Sequence, residues 1–206
     1  MDIIQAVKER RSINFFDPNK KVPEETLTQL LELANLSPSS MNLQPWEVVI
    51  VNDPERKSIL KLCAFNQPKV VEASAVLIII ANPNTIEKNI DRVINSWLEL
   101  GYISPNDEKT YRKLPKNLYE GNNRIYFAIK NTAFFAMSIM LAAKGLGLET
   151  HPMDGFSEQE VKLNFNIPND CIIPLLICVG YPSPTLELLP RAFRRDVTEF
   201  AKYNIY

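Results

Sequence analysis

At 206 residues, 46% hydrophobic and 23% charged, the sequence has the length and composition of one globular domain, spanning 1–206, with a large core. A net charge of −1 and a pI near 6.0 exclude a broad attraction to nucleic acid or anionic membrane, so its arginine clusters read as local devices for a small anion. Cys63, Cys171 and Cys178 make neither a CxxC pair nor a metal spacing with His151, the only histidine, which argues against a metal site and places the chain in a reducing, cytoplasmic setting. The N-terminus reads as a charged amphipathic stretch and not as a signal peptide. The longest apolar runs, 75–81 and 133–143, are too short to span a bilayer.

In chain order, Asp2 is placed to cap a short helix over 3–9, with Ile3, Ile4 and Val7 on one face. Pro23-Glu24-Glu25 opens a second helix whose apolar positions Leu27, Leu30, Leu31 and Ala34 keep helical spacing. The β-branched stretch 47–51 predicts a strand, and Asp53-Pro54 starts a helix to about Cys63. A buried strand is expected over 75–80. Residues 82–121 read as a polar, proline-interrupted, weakly periodic excursion. A long helix follows over 122–144, apolar on more than one face and stopped at Gly145. A short strand over 148–151 precedes Ser157-Glu158-Gln159-Glu160, which reads as a capping box, with Phe156 able to staple onto Val161. The last strong strand is expected over 172–179, where Pro174 signals an irregularity or an edge. The proline-rich segment after Gly180 reads as a wrapping tail.

Three segments carry chemistry. Arg10-Arg11-Ser12-Ile13-Asn14 lies near the start and Arg191-Ala192-Phe193-Arg194-Arg195 near the end. Planar guanidinium forks suit phosphate, because they donate paired hydrogen bonds to its oxygens. Between them runs Ser37-Pro38-Ser39-Ser40-Met41-Asn42-Leu43-Gln44-Pro45-Trp46, whose small polar side chains suit the edges of a flat polar ring. Gly145-Leu146-Gly147 follows a helix and lacks a third glycine, so it is no dinucleotide fingerprint.

Together the three segments resemble the nitroreductase family, whose members are dimeric FMN enzymes drawing electrons from NADH or NADPH. Phe65-Asn66-Gln67, Lys69 and Met153-Asp154-Gly155-Phe156 continue the resemblance in family order. The resemblance implies an α+β fold: a central mixed sheet flanked by helices, the 122–144 helix at a dimer interface and the C-terminal tail exchanged. It implies FMN between two subunits. Arg10, Arg11, Ser12, Asn14, Asn66, Lys69, Met153, Asp154 and Gly155 would come from one chain and Pro38, Ser39, Ser40, Met41 and Asn42 from the other. Arg191 and Arg194 would reach the phosphate.

In this pattern Lys69 supplies the cation that stabilises a reduced ring, and a backbone N–H near Asp154 faces flavin N5. Asn14 departs from the family, which commonly has a cation there, so either Lys69 carries that task alone or the reduced flavin is less stabilised and its potential lower. The expected reaction is ping-pong electron transfer to nitroaromatics, quinones or related small acceptors. Alternatives are a fold relative acting as a dehalogenase or enal reductase, or a non-catalytic flavin reservoir. Residues 82–121 fall where the family builds its lid, leaving Tyr102, Tyr111, Tyr119 and Tyr126 as open candidates for the channel. His151 reads as structural more readily than as a proton donor, and Trp46 and Phe65 as core.

Overall fold

The computed structural model describes residues 1–206. In chain order the elements are α1 (Ile3–Glu9), α2 (Glu24–Ala34), β1 (Trp46–Val51), α3 (Pro54–Cys63), α4 (Lys69–Glu72), β2 (Ala75–Ala81), α5 (Thr85–Glu99), α6 (Glu108–Leu118), α7 (Asn122–Gly145), β3 (Glu149–Met153), α8 (Glu158–Phe165), β4 (Ile172–Gly180) and α9 (Val197–Phe200). The strands form one sheet in the order β1-β2-β4-β3, and every neighbouring pair is antiparallel. The parallel component expected of a mixed sheet is a single bridge, Ser12 to Thr150, too short to count as a strand. The class is α+β.

Side-chain alternation on the sheet builds two cores. Val76, Ile78 and Ile80 of β2, with Leu176 and Cys178 of β4 and Met153 of β3, pack against Leu60 and Cys63 of α3, Val70 of α4 and Val161 of α8. Ala75, Leu77 and Ile79, with Ile177 and Val179, pack against Leu27, Leu30 and Ala34 of α2 and Phe135, Ala136, Ile139 and Ala143 of α7. β2 is buried at all its positions, as a strand covered on both faces must be. Pro174 falls at an irregularity and not an edge: Ile173 and Pro174 together oppose Ile80, a bulge that accommodates a residue with no N–H.

Local signals act as expected at most boundaries. Asp2 and Asp53 accept from the N–H groups of Gln5 and Arg56. α7 runs through Gly145 and is stopped by Gly147, whose φ of 75° suits only the left-handed region. Leu148 N–H bonds the Ala143 carbonyl and Gly147 N–H that of Lys144, the paired bonds of a Schellman stop. Only half of the capping box forms at α8. Ser157 Oγ accepts from Glu160 N–H, but Ser157's own N–H already goes to the Cys63 carbonyl.

The excursion differs most from expectation. It contains α5 and α6, and Ile86, Ile90, Val93 and Ile94 give α5 a regular buried stripe. These helices close a third core with Leu43 and Phe127, against which Trp97, Tyr111 and Tyr119 pack. α7 packs against α2 and all four strands. Its 24 residues meet the length and hydropathy of a membrane span, which its uninterrupted apolar run does not. All positions from 187 to 206 are exposed, so the tail has no core of its own in one chain.

Candidate functional site

The chain leaves α1 at Arg10 in an extended conformation and enters the single bridge to β3. Ile13 N–H donates to the Thr150 carbonyl at 3.1 Å, and the Ile13 side chain is buried in the sheet core. Alternation then leaves Ser12 and Asn14 facing outward. The tail folds back over this turn. Arg11 Nη2 donates to the Leu189 carbonyl at 3.1 Å, while Arg191 Nη2 donates to the carbonyls of Lys8 and Arg10. Arg194 bonds only carbonyls of its own segment.

The result is a corner of like charges. None of Arg10, Arg11, Arg191 and Arg194 is in an ion pair. Arg10 Nη1 is buried and has no hydrogen-bond partner. Burial, then Arg191 and Arg194, pull the Arg10 pKa below the ordinary arginine value, with Glu149 opposing. A buried donor without an acceptor costs on the order of 1–3 kcal/mol, so an anionic oxygen at this point would remove a penalty as well as add a bond.

Beside the corner stands Lys69, at the start of α4. Its Nζ donates to Asn14 Oδ1 at 2.9 Å and lies 3.1 Å from His151 Nε2. Asn14 is thus an acceptor that fixes Lys69, a role the sequence reading, concerned with its lost charge, did not foresee. Phe65 and Asn66 hold positive φ values of 51° and 60°, and this kink directs Gln67 Nε2 onto the Gly155 carbonyl at 2.7 Å. Phe65 is 67% exposed and not core, whereas Trp46 is buried and stacks on Phe135 with ring centroids 5.0 Å apart. Met153 is buried and Asp154 exposed; neither Asp154 nor Gly155 commits its N–H to another group of the chain.

Lys57 was missed. It is 2% exposed on the inner face of α3 and donates to the carbonyls of Val71 and Ala73 at 3.0 and 2.7 Å, anchoring the end of α4. Burial lowers its pKa. The signal was its helical spacing from Leu60 and Cys63, which put a lysine inside the apolar stripe.

The 38–42 loop is built elsewhere and differently. Ser39 Oγ accepts from Gln44 N–H at 2.9 Å, Ser40 N–H donates to Asn131 Oδ1 at 2.9 Å, and Ser40 Oγ bonds Tyr119 Oη. Gln44 Nε2 donates to the Asn42 carbonyl and to Asn42 Oδ1. Met41, Asn42 and Gln44 all have positive φ, and Met41 packs on the third core. Pro38 is exposed. Asn131, buried within α7, was also missed; its signal is an amide one turn from Phe127 in an apolar helix. No hydrogen bond joins this loop to Arg10, Asn14, Lys69 or Gly155. Tyr119 and Tyr126 line a cavity of about 410 Å³ with Leu118, Phe127 and Ile129.

The α+β scaffold thus carries a basic corner with an orphan guanidinium, a lysine held by Asn14 and His151, and two backbone N–H groups uncommitted to the chain. The chain belongs to the nitroreductase family, whose sequence pattern matches residues 7–181. It is 32% identical over 205 residues to MhqN of Bacillus subtilis, a protein assigned as an NAD(P)H nitroreductase, with 98% of each chain covered. Among solved structures, it is similar to ydfN of Bacillus subtilis, assigned as a nitroreductase: TM-score 0.89, 31% identity, 97% of each chain covered. A protein of Exiguobacterium sibiricum assigned as a nitroreductase and solved in complex with FMN matches at TM-score 0.88 and 26% identity, covering 98% of this chain and 97% of the other.

Proposed function

We propose that this chain is an FMN-dependent NAD(P)H oxidoreductase that acts as a homodimer on small organic acceptors such as nitroaromatics and quinones. Family membership and the relatives assigned as NAD(P)H nitroreductases support the donor, and the FMN complex of a structural relative supports the cofactor. The observation within this chain that carries the reading is Arg10 Nη1, buried without a partner and within electrostatic reach of Arg191 and Arg194. FMN, when bound, supplies two-electron chemistry between the nicotinamide and the acceptor.

The rest is binding and tuning by the chain. Arg10, Arg191 and Arg194 hold the phosphate, with Arg11 and Ser12 completing the turn. Lys69 places a positive charge against the charge that reduction adds to the ring. Asp154 and Gly155 offer N–H groups to the ring edge, and Asn66 and Asn14 offer amides. The 38–42 loop serves the partner's cofactor, which accounts for its separation from the corner.

Exposed apolar residues on α1, α7 and the tail support dimerisation: Ile3, Ile4, Val7, Phe134, Met137, Leu189, Phe193 and Tyr203 stand exposed in one chain. We place the protein in the cytoplasm as a single domain over 1–206, with 82–121 as the lid over the acceptor.

The test is spectroscopic. The purified protein should be yellow, with close to one FMN per chain and twice the 23.5 kDa chain mass in solution. Anaerobic NADH or NADPH should bleach it, and a nitroaromatic or quinone should restore the colour. A protein that binds no added FMN would overturn the reading. One that binds FMN but is never bleached would be a reservoir.

A further inference from the structure

His151 is the only histidine of the chain, half-buried on β3. Its Nδ1 lies 3.0 Å from the Ile13 carbonyl oxygen and its Nε2 lies 3.1 Å from Lys69 Nζ. A carbonyl only accepts, so Nδ1 carries the proton; an ammonium only donates, so Nε2 presents its lone pair. The two partners together specify one tautomer of the neutral ring. A second N–H of Lys69 goes to Asn14 Oδ1 at 2.9 Å. Two of the three ammonium N–H bonds are therefore directed by the chain, and the third is left for a ligand.

We propose that His151 is a positioning residue: as the neutral Nδ1–H tautomer it holds the Lys69 ammonium against Asn14, and so fixes where that charge stands relative to a bound flavin. The assignment of the charge to a flavin rests on the FMN reading above; the contact itself does not.

The surroundings leave the imidazolium unsupported. α4 contributes Lys69, a like charge, and the turn after α1 contributes only the Ile13 carbonyl and the Asn14 amide. Across the sheet His151 pairs with Cys178, a neutral thiol whose pKa burial pushes up to about 12. On β3 itself, Glu149 is committed to Lys144. Burial and then Lys69 lower the His151 pKa below its ordinary value, with the Ile13 carbonyl opposing. Protonating Nε2 would remove an acceptor from Lys69 and set two cations side by side. Lys69 must then turn away, and the flavin loses a fixed charge.

Two measurements test this. With a single histidine, ring 15N signals need no assignment, so two-bond 1H–15N correlation at pH 7.5 reads the tautomer in apoprotein and holoprotein. The expected result is a protonated Nδ1 and a bare Nε2, titrating below 6.5. An Nε2–H tautomer would overturn the contact, whatever the cofactor.

The second measurement is the FMN midpoint potential against pH for the wild type, His151→Gln, His151→Ala and Lys69→Met. His151→Ala should move the potential toward the Lys69→Met value by at least half of that variant's shift. His151→Gln, whose amide oxygen can still accept, should keep the wild-type potential but lose the inflection at the histidine pKa. In the Lys69→Met background His151→Ala should add nothing. An unchanged potential in His151→Ala beside a shifted Lys69→Met would refute the positioning role. Failure to bind FMN at all would refute the flavin part, while the tautomer would still decide the His151–Lys69 contact.

Discussion

The basic corner and the 38–42 loop are both polar, yet their hydrogen-bonding groups are disposed in opposite ways. In the loop Ser39, Ser40, Asn42 and Gln44 satisfy one another or reach α7 and Tyr119. In the corner Arg10 Nη1 has no partner, Arg194 bonds only its own segment, and Lys69 keeps one N–H unused. The loop is bonded largely within itself, with the exposed Asn42 amide N–H group left over, whereas the corner keeps charged donors unpaired. On the proposed reading, the corner supplies the affinity for an anion and the loop a preformed surface.

The largest effect should come from removing the tail, residues 187–206. The corner loses Arg191 and Arg194, and the exposed apolar residues of the tail, Leu188, Leu189, Phe193 and Tyr203 among them, disappear. We expect a monomer on light scattering and loss of FMN on desalting. A truncated dimer that keeps its flavin would show that neither the tail's arginines nor its apolar surface is needed, and would weaken the contrast between corner and loop.

Lys69→Met should act next, with FMN retained but harder to reduce. One charge near the ring is worth on the order of 1–4 kcal/mol, depending on screening. As ~30 mV corresponds to about 1.4 kcal/mol for a two-electron couple, the midpoint should fall by tens of millivolts. Anaerobic dye-equilibrated titration reads it directly. Asn14→Lys, which sequence alone suggests as a way to restore a missing cation, would instead set an ammonium against Lys69 and take away its acceptor.

Much of the fold was legible because its signals are local. The caps at Asp2 and Asp53 and the all-apolar 75–81 stretch each act within a few residues. The helices inside the excursion were not legible because Pro83, Pro105 and Pro115 draw attention to breaks, while the buried stripe of α5 fits between the first two. Pro115 is even tolerated inside α6. The arginine turn and the serine loop were legible as motifs, but not what their members touch. Lys69 meets His151 across 82 positions and Asn14 across 55, and the pattern of a sequence carries no such orientation.

Ser39→Ala should be milder and of a different kind. It removes an internal bond of the loop, so unfolding stability should fall by about 1 kcal/mol in a urea titration. FMN affinity should change less than for any arginine of the corner. A large loss of affinity with unchanged stability would place the loop in the wrong category.

The smallest effect concerns pH. The unfolded histidine takes its proton near 6.5 and the folded one at lower pH. Between these values the unfolded state binds more protons, so stability is full above 6.5 and declines as pH falls through the folded pKa. In apoprotein melts, His151→Gln should show a flatter acid limb than the wild type. An identical limb would remove His151 from the pH response.

The central claim is that the corner exists to hold a phosphate, and comparing FMN with riboflavin tests it most directly, since the two differ only in that group. Titrating apoprotein by flavin fluorescence should give the wild type a strong preference for FMN. Arg10→Ala should reduce that preference about 10- to 150-fold, the range expected for losing a charge-assisted bond worth about 1.5–3 kcal/mol. Riboflavin affinity itself should stay near its original value. Equal binding of FMN and riboflavin by the wild type, or an unchanged preference in Arg10→Ala, would contradict the account.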